Sequence, residues 1–156
     1  MKKITIKIGL ILLLSAVFIS CNKDDIPKDP VTANTLIGNW RVTGTLVTTT
    51  NTAPNSPQPG FQAMDYWEIG LENNVPVLKT SKGTVNGSVV GKGYHFEGQF
   101  DVAAGYVWCT FVIEVTPSVQ AGKMYGTEEF KYFGLNGVGQ PMFLGTESWK
   151  LDGDKL

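Results

Sequence analysis

From residue 36 onward the sequence predicts an all-β domain folded as an eight-stranded antiparallel up-and-down barrel. A two-sheet β-sandwich is the alternative. Three observations carry this expectation. Apolar and polar residues alternate with a period of two, Gly, Asn and Pro interrupt the alternation, and no helical periodicity follows the N-terminal segment. A strand with one face on a core and one in water gives that alternation, because successive side chains point to opposite faces.

The strands are expected in order at 39–49, 64–71, 75–80, 84–90, 94–102, 107–116, 124–133 and 143–151. The fifth is the clearest: His95, Glu97, Gln99 and Asp101 are polar, while Tyr94, Phe96, Phe100 and Val102 are apolar and Gly98 keeps the phase. Pro76 lacks a ladder donor, which suits an edge strand or the first position of the third run. The breaks at 72–74, 81–83, 91–93 and 103–105 fit short antiparallel connections. Two are longer: 51–60, with three prolines, and the glycine-rich 136–141. Eight meandering strands of this length close most naturally into a small barrel.

The N-terminus has a different character. Lys2, Lys3 and Lys7 precede or open an apolar run of 12 residues, 8–19. That run is far shorter than the ~20 residues of a transmembrane helix and matches the apolar region of a secretory signal. Val17-Phe18-Ile19-Ser20-Cys21 resembles the lipobox of bacterial lipoproteins. The resemblance implies that residues 1–20 are a signal peptide and that Cys21 becomes the lipidated first residue of the mature chain. In that class the sulfur takes a diacylglycerol and the new amine an acyl chain such as palmitate. Each buried methylene contributes ~0.8 kcal/mol, so two or three chains anchor the protein firmly. Asn22-Lys23-Asp24-Asp25 resembles the export signal that takes some lipoproteins to the outer face of the outer membrane, with the periplasmic face as the alternative. Residues 21–35 read as lipidated cysteine and flexible tether: they are polar, carry Pro27 and Pro30, and bury too little to offset their ordering entropy. Residues 22–34 span at most about 43–47 Å when extended.

Composition excludes several function classes. Removing the signal takes three of 13 basic residues and leaves ten against 14 acids, a net charge near −4. No basic patch speaks for nucleic acid. With Cys21 consumed by lipid, Cys109 has no disulfide partner and is expected to be buried, because it shares a strand face with Val107, Phe111, Ile113 and Val115. Trp108 then falls on the opposite face, where it is available to stack on a sugar or a partner.

Leu36-Ile37-Gly38-Asn39-Trp40 opens the first strand and resembles the Gly-x-Trp motif of lipocalins. The likeness covers residues 38–151 and points to short bacterial lipocalin-like domains. It implies that Trp40 plugs the closed end of the barrel and that a late basic residue, Lys150, covers it.

Catalytic raw material is thin. The sole histidine, His95, lies on a wet face beside Glu97, and no HExxH motif, cysteine pair, nucleophile elbow or phosphate loop is present. Asp152-Gly153-Asp154 reads as a frayed tail. No cofactor, metal or catalytic residue is assigned. Glu128 and Glu147 share faces with apolar residues and would enter one cavity if their strands pair, to hold a polar headgroup or, as the third-ranked reading, to act as an acid/base pair. The expected cavity residues are Trp40, Val42, Leu46, Phe96, Phe100, Phe111, Ile113, Phe130 and Trp149, with the two glutamates. The first expectation is a barrel that binds a small apolar or amphipathic ligand at the cell surface. The second is a packed interaction module that meets a protein or glycan partner in an envelope or nutrient-uptake complex.

Overall fold

The computed structural model describes residues 32–52, 56–103 and 107–156. Residues 1–31, which hold the expected signal peptide, Cys21 and most of the expected tether, lie outside the described residues. Eight strands follow a 3-10 helix at Ala33–Leu36: β1 (Gly38–Thr49), β2 (Gln62–Glu72), β3 (Val75–Thr80), β4 (Gly83–Val90), β5 (Gly93–Ala103), β6 (Val107–Pro117), β7 (Lys123–Leu135) and β8 (Pro141–Lys155). Each pairs antiparallel with the next, and β8 returns to β1, so the sheet is a closed up-and-down barrel. The β1–β8 ladder runs from Trp40↔Lys155 to Thr49↔Glu147, which leaves no edge of the kind a sandwich would have.

Register decides what faces inward. Across β5 and β6, Phe96 meets Ile113, Gly98 meets Phe111 and Phe100 meets Cys109. Glu128 and Phe130 of β7 sit opposite Ile113 and Phe111 on one side, and opposite Trp149 and Glu147 of β8 on the other. The inward set is therefore the apolar phase of every strand, together with a few polar residues locked into the same phase. Bulges shift the register between Leu46 and Thr48, between Asp101 and Ala103, and between Tyr132 and Phe133. All three lie at the end opposite the 3-10 helix, where a barrel needs extra bending.

The 3-10 helix packs against β5 and β6 and closes one end. Ala33 and Leu36 are buried, so residues 33–35, read above as tether, belong to the folded domain. The sequence underestimated them because a single 3-10 turn shows no periodicity. Trp40 is buried over the helix, its Nε1 donating to the Leu36 carbonyl at 2.7 Å. The cation over Trp40 is Lys155, not Lys150. Its Nζ lies 5.5 Å from the ring centroid and donates to the Thr35 carbonyl at 3.1 Å. Parity explains the correction: Trp149, Leu151 and Gly153 point inward, so Lys155 does too, whereas Lys150 points out to Asp152 at 3.7 Å. Gly38 takes φ +137°, and a Cβ there would lie 2.8 Å from Lys155 Cε. The glycine of the Gly-x-Trp pair thus lets the chain turn from helix into strand beneath this lysine.

The last strand also runs further than its sequence implied. Asp152-Gly153-Asp154 is part of β8 and not a frayed tail. Asp154 joins Arg41 at 3.3 Å and Lys123 across both neighbouring strands, and these two cations hold its carboxyl below the usual range.

Candidate functional site: an aromatic cavity with a spare carboxylate

The connections at the end away from the helix are β1–β2, β3–β4, β5–β6 and β7–β8, and this half of the barrel is not filled. A cavity of about 340 Å³ lies within it. Val42, Trp67, Leu78, Val85, Phe100, Phe111, Ile113, Phe130, Trp149 and Leu151 form its apolar wall, and Asp65, Lys82 and Glu128 are its charged residues. Gly44 and Gly98 occupy inward positions without a side chain, so the rings of Trp149 and Phe111 lie close over them. A Cβ on Gly98 would come within 2.8 Å of the Phe111 ring. Phe100 meets Phe111 and Phe130 at centroid distances of 6.0 and 6.1 Å, the second edge-to-face.

The carboxylates inside the barrel differ sharply. Glu147 is 3% exposed and its hydrogen bonds are well supplied. It accepts from Tyr132 Oη at 3.0 Å, Asn51 Nδ2 at 3.2 Å and Trp149 Nε1 at 3.3 Å. Burial and the neighbouring Glu147 charge push the Tyr132 hydroxyl up, which keeps it a donor. Asp65 repeats the pattern on β2, accepting from Trp67 Nε1 at 3.2 Å and from the Tyr66 backbone N–H at 2.9 Å. Glu128 has neither kind of support: no described residue gives its carboxylate a hydrogen bond or an ion pair. Burial raises its pKa to about 7, Lys82 opposes the rise, and Asp65 and Glu147 add to it.

Lys82 sits in the two-residue turn between β3 and β4, whose shape is set by Thr80 Oγ1 accepting from the Lys82 N–H at 3.1 Å. Its side chain reaches back over the cavity, with Nζ 4.3 Å from the Phe130 centroid and 5.1 Å from that of Phe100. This is cation–π geometry.

Of the residues expected at the cavity, Val42, Phe100, Phe111, Ile113, Glu128, Phe130 and Trp149 line it. Trp40, Leu46, Phe96 and Glu147 do not, although all are buried. Trp40 belongs to the closed end, and Phe96 fills space beside Gly87. Glu147 turns its oxygens to Tyr132, Asn51 and Trp149 and so supports the wall from behind. The residues expected from the sequence do not include Asp65, Trp67 or Lys82, which also line the cavity. Asp65 was legible in principle, because it keeps phase with Trp67 and Ile69. Lys82 carried no such signal, since a turn lysine is ordinarily solvated.

The remaining candidates lie elsewhere. Cys109 is buried, donates to the Thr110 carbonyl at 3.3 Å, and burial pushes its thiol up to about 12. Trp108 is on the outer face, stacked on Phe133 at 5.7 Å with planes 13° apart, and Phe133 in turn meets Phe143. His95 is also outside, near Glu114 and Glu97 at 3.5 and 3.8 Å. Among the described residues, no group of three His, Cys, Asp or Glu is arranged to hold a metal ion. Compared with known proteins, the chain matches no family model, no curated protein and no solved structure.

Proposed function

We propose that this chain is a lipid-anchored, lipocalin-like lipoprotein whose barrel takes a small apolar or amphipathic molecule into its cavity at the cell surface. The carrying observation is the aromatic-walled space of about 340 Å³, a size typical of small-ligand sites. A barrel built only for stability would fill that volume, because unfilled apolar space costs packing energy. The test is native mass spectrometry of the protein isolated from its own host, paired with titration of an apolar fluorescent probe. The expected result is a co-purifying small molecule that denaturation releases and that competes with the probe. A bare protein mass together with no probe binding overturns the reading.

Anchoring rests on Cys21 and its lipobox-like surroundings. Cys21→Ala is expected to abolish labelling by a fatty-acid probe, and surface placement predicts loss of the domain when intact cells are treated with protease. One observation favours a second reading, an interaction module. The outer aromatic row of Trp108, Phe133 and Phe143 ends in a ring that is 56% exposed. If Trp108→Ala removes binding of the cells to a protein or glycan partner while the cavity stays empty, that reading takes precedence.

A further inference from the structure

We propose that the molecule taken by the cavity is an organic cation, a small amphipathic ammonium. Its charged end would pair with Glu128 and displace the Lys82 ammonium from the faces of Phe130 and Phe100. The proposal rests on the cavity being a binding site and names the class of ligand.

Three features of the wall point the same way. The first is charge: two acids, Asp65 and Glu128, face the space, and among the described residues the only cation lining it is Lys82. The second is hydrogen-bonding capacity. The indole N–H groups of Trp67 and Trp149 are already committed to Asp65 and Glu147. They are lost as donors to an anionic or carbonyl headgroup, while the rings still offer apolar surface. Glu128, in contrast, is an acceptor with no donor among the described residues, held half-buried where a ligand would supply one.

The third feature is Lys82 itself. Its Nζ makes no hydrogen bond or ion pair with any described residue, yet it lies over two aromatic rings. An exposed turn lysine has free rotamers and gains little by staying there. Its position shows that the aromatic walls and nearby acids favour a positive charge at this point. A ligand ammonium carrying its own apolar tail would satisfy the same faces and also fill the cavity, which the lysine stem does not. Cation–π contact and a charge-assisted hydrogen bond to Glu128 then act together, both strengthened by partial desolvation.

Glu128 is faced by Asp65 from β2, Glu147 from β8 and Lys82 from the β3–β4 turn. Tyr132 and Cys109 are held neutral nearby. Affinity for the cation should therefore rise as pH increases through the range in which Glu128 ionises.

The test uses the full chain in phosphatidylcholine nanodiscs, with empty nanodiscs subtracted, and three matched probes: n-octylammonium, n-octanol and n-octanoate. Binding is read from tryptophan fluorescence, since Trp67 and Trp149 line the cavity. At a pH of about 8, n-octylammonium is expected to bind about tenfold or more tighter than n-octanol, the size of one desolvated cation–π or charge-assisted contact. Glu128→Gln should remove most of that preference, read as the ratio of the n-octylammonium and n-octanol affinities. Lys82→Met should tighten n-octylammonium by removing the internal competitor. If Glu128→Gln misfolds, the wild-type preference itself must still weaken at a pH of about 5.5. Equal binding of n-octylammonium and n-octanol overturns the cation assignment but leaves the cavity a binding site. So does tighter binding of n-octanoate that is lost in Lys82→Met. No binding by any probe overturns both.

Discussion

Glu128→Gln is also the most direct probe of the barrel's electrostatics without any ligand. In the native state burial lifts the Glu128 carboxyl from its ordinary 4.5 to about 7, whereas in the unfolded chain it returns to the ordinary value. This is the reverse of a carboxylate stabilised by an ion pair, and the sign follows. Below the unfolded value both states hold the proton, so Glu128 costs nothing. Between the two values the unfolded chain releases its proton first, and stability falls as pH rises. Above about 7 the whole difference is present: a rise from 4.5 to about 7 corresponds to about 3 kcal/mol, trimmed to about 2–3 kcal/mol by the residue's partial contact with water. Glutamine has the same shape and cannot ionise. Urea unfolding of both proteins at a series of pH values between about 4.5 and about 8 should therefore give curves that diverge, with the glutamine variant gaining about 2–3 kcal/mol relative to wild type at the alkaline end. A constant offset does not matter, because only the slope of the difference reports the titration. Parallel curves across that range would refute the reasoning and place Glu128 in a well-solvated or well-paired environment.

Other perturbations test other parts of the molecule. Trp40→Ala removes a ring that is 1% exposed together with its bond to Leu36, so a loss of about 3–5 kcal/mol is expected in thermal or urea unfolding. Glu147→Ala leaves Tyr132 Oη and Trp149 Nε1 without this acceptor and should cost about 2–4 kcal/mol, with Glu147→Gln losing less because one acceptor oxygen survives. Gly87→Ala places a Cβ against the Phe96 ring and the His95 carbonyl, and overpacking of about 1–3 kcal/mol should appear as a lowered midpoint. Cys109, buried and with its thiol near 12, should resist alkylation in the native protein at neutral pH and be modified only in denaturant, as read by peptide mass mapping.

Much of the barrel was legible because its signal is local. All eight strands start and stop within a few residues of where period-two alternation begins and fails. The differences fall at the ends, most of all in β8, where Gly153 between two aspartates has no apolar side chain to mark the buried phase. The same phase rule placed Cys109 inside and Trp108 outside, and it put Glu128 and Glu147 on inward faces. It did not distinguish the roles of the two glutamates. That difference depends on Tyr132 and Asn51, which reach Glu147 and not Glu128.

The sequence alone determines which residues of each strand share a face, because alternation is a property of the backbone and needs no partner. It also carries the lipobox-like segment ending in Cys21, followed by polar residues with Pro27 and Pro30. Closure and contents are tertiary matters. Only the β1–β8 pairing excludes the sandwich, and only the register across eight strands brings Asp65, Glu128 and the ring of Phe130 to one space. Lys82 joins them from a turn, where no periodicity constrains a side chain. Its place over the rings follows from Coulomb attraction and the aromatic quadrupole acting across strands far apart in sequence.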